Sequence, residues 1–190
     1  TDGNWDTGSL NWNDDKAAFT DGGVDDVTFN NTAGGAITIS ANMTPTSTTV
    51  SASSGTYRFI GGAIDGGTLV KSGAGTLDLR DMLSATGTNG FSSITLSGGK
   101  VQVDRNANSA KQLGSGPISV IEDSTISYAE AVANDGTALS NPTTIASGKV
   151  LTLTREIGQH YPSYTGLISG EGGLRIEGTV ANYWRINNAG

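Results

Sequence analysis

Residues 94–103 read ITLSGGKVQV. Side chains alternate along an extended chain, so Ile94 and Leu96 share one side of a first strand, and Val101 and Val103 share one side of a second. Between them Ser97, Gly98 and Gly99 are small residues of the kind that lets a chain turn sharply. The same unit of strand, turn and strand recurs as TLVKSGAGTLDL (68–79), ISVIEDSTISY (118–128), TIASGKVLTL (144–153) and LISGEGGLRI (167–176). Aligned on their second strands, these units put Leu77, Val101, Ile126, Leu151 and Leu174 in one column, at steps of about 24 residues that mark a fixed-period repeat. Two residues further on, Leu79, Val103, Tyr128, Leu153 and Ile176 form a second column. The first strands supply a third, of Leu96, Val120, Ile145 and Ile168, which Val70 joins if its turn is one residue longer. Leu113 and Leu139 lie in the more variable remainder and read as members of a third face.

Such a period predicts an all-β, right-handed parallel β-helix of about 25 residues per coil, because two or three short strands and their turns fill one coil of that length. Each strand then pairs with its counterpart one coil away, and the handedness rule for parallel crossovers sets the sense of the coil. Residues 1–25, with Trp5, Trp12 and Phe19, read as an N-terminal cap that covers the unpaired first coil. Residues 26–190 read as coils of a longer repeat protein. The last of them has no cap, which leaves end-to-end self-association as an expected contact.

The composition agrees. Of 190 residues 28 are Gly, 35% are hydrophobic and only 6% aromatic, which leaves too little bulk for a helical globule. Net charge is −7, and the 11 basic residues are scattered, so a surface that tracks nucleic-acid phosphates is not expected. Cysteine is absent, which excludes a disulfide framework and any thiolate metal site. No apolar run approaches the roughly 20 residues of a membrane-spanning helix.

One segment carries a resemblance. Residues 66–79, GGTLVKSGAGTLDL, are similar to the autotransporter-associated β-strand repeat at Gly67, Leu69, Lys71, Gly73, Gly75, Thr76, Leu77 and Leu79, with Thr68 interposed. LISGEGGLRIEG (167–178) looks like the opening of a further copy, departing from the pattern at Arg175 and Glu177. The resemblance implies a passenger segment of an exported bacterial surface protein, secreted or held at the outer membrane of a Gram-negative cell, and a scaffold more than a catalyst.

Candidate chemistry is sparse. His160, Tyr161 and Tyr164 lie in a long inter-strand segment and are the expected ligand-binding residues, since a His with two aromatics can stack on a sugar. The expected partners are host or environmental glycans or surface proteins. Arg80–Asp81, Asp104–Arg105, Glu130 and Arg155–Glu156 recur near the coil period and would gather along one edge, where they read as a solvated ladder of ion pairs. A carbohydrate-active enzyme built on the same fold would use that cluster; a plain spacer would use none of it. Asp14, Asp15, Asp21, Asp25 and Asp26 lack the spacing of a calcium loop. No catalytic residue, metal or cofactor is expected.

Overall fold

The computed structural model describes residues 3–12, 16–30, 34–82, 89–103, 112–128, 138–156, 162–178 and 184–187. Its strands are β1 (Asn4–Trp5), β2 (Asp26–Phe29), β3 (Gly34–Ile39), β4 (Ser47–Val50), β5 (Thr56–Gly61), β6 (Thr68–Ser72), β7 (Thr76–Met82), β8 (Ser93–Val103), β9 (Ile118–Tyr128), β10 (Ala138–Leu139), β11 (Thr143–Ile145), β12 (Val150–Arg155), β13 (Ser163–Tyr164), β14 (Ile168–Gly170), β15 (Gly173–Gly178) and β16 (Arg185–Ile186). All pair in parallel, each with the strand one coil before or after it. The chain is a parallel β-solenoid whose coils recur about 24 residues apart.

One face stacks β2, β4, β6, the first half of β8, the first half of β9, β11 and β14. A second stacks β1, β3, β5, β7, the later halves of β8 and β9, β12 and β15. Toward the C-terminal end β10, β13 and β16 close a third, short face, where Leu139 is opposite Tyr164 and Tyr164 opposite Ile186. The alternation seen in the sequence is the alternation of burial. Leu77, Val101, Ile126, Leu151 and Leu153 are buried, as are Leu96, Val120 and Ile145, with Leu113 and Leu139 beside them. Burying a Leu or Val side chain contributes about 1.5–3 kcal/mol, and a stack of like residues collects that at every coil.

The columns differ from the sequence alignment in three places. Ile126 is opposite Leu153, not Leu151, which pairs with Ser124. Ile168 is opposite Thr143, and Gly170 takes the place beside Ile145. Leu96 is opposite Lys71, not Val70. The first slip has a local cause. Strand β9 runs unbroken through its bend, whereas β11 and β12 are separated by a turn closed by the Lys149 amide on the Ala146 carbonyl at 3.1 Å. That turn inserts two residues, and an even slip leaves every inward side chain inward. The third slip is odd, so it exchanges faces: Val70 turns outward and Lys71 inward.

At the amino end Trp5 is fully buried, and its ring meets Trp12, Phe19, Phe29 and Phe59 at centroid distances of 5.5–6.2 Å. Within the segment read as a cap, β1 is already paired to β3.

Candidate functional site

Register fixes which side chains face outward, and the two large faces differ in chemistry. On the first face Thr28, Thr49, Val70, Thr95, Ser119, Thr144 and Ser169 form one outward row, with a neighbouring row of Asp26, Ser47, Thr68 and Ser93. On the second face the outward rows are Thr56, Thr76, Lys100, Thr125, Thr152 and Arg175, and Arg58, Asp78, Gln102, Ser127, Thr154 and Glu177. Hydroxyls make up nearly all of the first, whereas the second interleaves hydroxyls with charges.

The charges on the second face are tied to one another. Asp78, buried at 2% exposure, takes a forked pair of bonds from Arg80, 2.9 Å from Nε and 2.7 Å from Nη2. Asp81 pairs with Arg58 one coil back. Glu156, just beyond β12, reaches back across β9 to accept from Lys100 Nζ at 2.6 Å, Gln102 Nε2 at 3.0 Å and Ser127 Oγ at 2.9 Å, stitching three successive coils. Partial burial raises the Glu156 carboxyl pKa, but the donors from Lys100, Ser127 and Gln102 outweigh it and hold the group below its ordinary value. Exposed or half-exposed pairs of this kind contribute at most about 1 kcal/mol each.

Of the charged edge expected from the sequence, Arg80, Asp81 and Glu156 are at the surface, each in an ion pair. Arg155 is not. The two-residue slip sets it in the inward column opposite Tyr128, where it is 3% exposed. Asp104, Arg105 and Glu130 lie outside the described residues, as do Asp14 and Asp15.

Of the three expected ligand-binding residues, His160 and Tyr161 also lie outside the described residues. Tyr164 is fully buried in β13, and its hydroxyl shares a hydrogen bond with Thr143 Oγ1 and donates to the Asn141 carbonyl at 3.3 Å. Its ring offers no face to solvent, because position 164 stacks on Leu139 inside the third face. Burial pushes the Tyr164 hydroxyl up to about 12, against a smaller lowering by Thr143.

The inward place offered to Val70 is taken by Lys71. It is fully buried in a column otherwise made by Val50, Leu96, Val120 and Ile145. Its Nζ donates to the carbonyls of Ser72 at 2.6 Å, Gly73 at 2.9 Å and Gly98 at 3.3 Å, the last on the next coil. Burial pushes the ammonium down to about 8. The signal was present in the sequence: Lys71 has the same parity as Leu69, which any two-residue alternation assigns to the core.

Buried asparagines do similar work at the corner before the first face. Asn89 accepts from the Ile64 amide at 2.8 Å and donates to the Gln112 carbonyl at 2.6 Å, while Asn141 donates to the carbonyls of Gly114 and Gly116. Among the described residues no group of three or more His, Asp or Glu side chains is gathered closely enough to hold a metal ion. Compared with known protein families, with curated proteins and with solved structures, the chain matches none.

Proposed function

We propose that the chain is a non-catalytic structural and adhesive segment of an exported bacterial surface protein of the autotransporter-passenger kind. It displays its outer faces to host or environmental glycans or surface proteins. The observation that carries this reading is the way the family-like segment 66–79 works as one unit. Leu69 and Leu77 are buried on successive strands, and Lys71 fills the turn between them by binding the carbonyls of Ser72 and Gly73. The residues by which the segment resembles the autotransporter-associated repeat are thus the ones that build a coil. The charged side chains of the second face support a scaffold role, since Asp78, Asp81 and Glu156 are each engaged by a cation of the same face.

Purified chain applied to an array of acidic and mucin-type glycans tests the reading, with a reducing-end assay on the same glycans. Retention on particular glycans without new reducing ends is the expected result. Turnover that disappears in Glu156→Gln would overturn the non-catalytic assignment. Absence of any retention, on glycans or on host cells, would overturn the adhesive one and leave a spacer.

A further inference from the structure

The outward positions of the first face repeat in two directions. From β2 through the first half of β8 the pairing keeps one register, and the shift between β8 and β9 falls only after Leu96. Three successive coils therefore present the same doublet: Ser47 with Thr49, Thr68 with Val70, and Ser93 with Thr95. The residues that alternate with them, Thr48, Val50, Leu69, Lys71, Ile94 and Leu96, are buried, which fixes the doublets outward. Ser72 and Ser97 extend the pattern by one place, and the row of Thr49 runs on through Ser119 and Thr144 to Ser169. Strand spacing and the rise along each strand make this a net of about 4.8 Å by about 6.6 Å.

The chemistry of the net narrows its partner. Sugar-binding surfaces use aromatic rings that stack on the pyranose, and none of these outward positions is aromatic. Apart from Asp26 at one end the rows carry no ionised group, so no charged partner is steered to them. A protein partner needs an apolar centre, and Val70 is the one apolar member of the rows. Each Ser or Thr hydroxyl both donates and accepts, which suits a partner that is itself a regular lattice of donors and acceptors. The surface of ice is such a lattice, and its oxygens repeat in two perpendicular directions at intervals close to those of the net. Strands stacked in a solenoid are already ordered, so their hydroxyls meet a lattice without the ordering cost that a mobile loop incurs.

We propose that the first face is an ice-binding surface, on which the hydroxyl net of β4, β6 and β8 holds waters at the positions of the ice lattice. Waters bridging two hydrogen-bonding surfaces are nearly as good as direct contacts, and a row that continues over several coils adds them together. The second face, where Lys100, Arg58 and Asp78 interrupt the hydroxyls, lacks this regularity. Ice binding needs no glycan contact, so it and adhesion to glycans can fail separately.

Slow growth of ice from a stirred solution of the chain tests this, because growing ice pushes non-binding solutes into the remaining liquid and traps those that bind. The wild-type chain is expected to be enriched in the ice and to shape small crystals into facets. Thr49→Tyr and Thr95→Tyr each set a ring over the middle of the net and are expected to abolish the enrichment, whereas Thr152→Tyr, outward on the second face, leaves it unchanged. An unchanged far-ultraviolet circular dichroism spectrum checks that each variant is folded. Exclusion of the wild-type chain from ice, enrichment that survives both first-face substitutions, or equal loss in Thr152→Tyr would overturn the proposal. Exclusion from ice together with retention on crystalline cellulose would assign the net to a polysaccharide and overturn it as well.

Discussion

Lys71 shows how one side chain can satisfy groups that the fold itself creates. The turn from the first face to the second leaves carbonyl oxygens pointing inward, and the ammonium collects those of Ser72, Gly73 and Gly98. Lys71→Met keeps most of the volume and removes the donor, so buried acceptors lose their partner; the expected cost is about 1–3 kcal/mol, read from the urea midpoint at unchanged slope. The pH dependence has a definite sign. The folded ammonium titrates at about 8 and the unfolded one at 10.5, so between those values the unfolded state holds a proton the folded state has shed, and stability rises with pH. Tyr164 acts in the opposite sense: its folded value of about 12 lies above the unfolded 10.0, so its contribution declines above pH 10. Stability should therefore climb from pH 8 to about 10 and then turn down. The climb is lost in Lys71→Met and the downturn is weakened in Tyr164→Phe.

At the scale of strands and turns, tight stacking makes the turn residues as exacting as the core. Gly99 has a φ of 71°, and a Cβ there would press on the carbonyl oxygens of Gly73 and Gly75 and on Lys71 Nζ. Gly99→Ala should lower stability by about 1–3 kcal/mol from the backbone conformation alone, measurable as a fall in the denaturation midpoint. The same elements show what could be read from sequence. Alternation along each strand identified the inward residues, because burial is decided locally by parity. Pairing between coils was less legible, since it depends on turn lengths: the extra two residues at Ala146–Lys149 moved Leu151 from Ile126 to Ser124 without exposing it. Lys71 takes the inward place offered to Val70 for a different reason. Hydrophobicity favours Val70 for the core, but parity with Leu69 and the turn carbonyls override it. Tyr164 could not be assigned from its neighbours in sequence, because it stacks between Leu139 and Ile186, each one coil away.

For the molecule as a whole, the consequence of stacking is that ends matter more than in a globule. Trp5 joins β1 to an aromatic cluster with Trp12, Phe19, Phe29 and Phe59, and it is completely buried. Trp5→Ala removes a large buried ring and is expected to cost about 3–5 kcal/mol. Since each coil contacts mainly its neighbours, the loss should appear first as faster amide exchange in β2 and β3, with β9 and β12 protected longer. The stacking direction has a mechanical side too. Backbone bonds between strands run along the solenoid axis, so tension applied between the two ends pulls on them lengthwise and detaches coils from an end in succession. Each coil that comes away frees about 24 residues, or about 80 Å of extended chain, so the molecule would lengthen under load in even steps while the remaining coils stay folded.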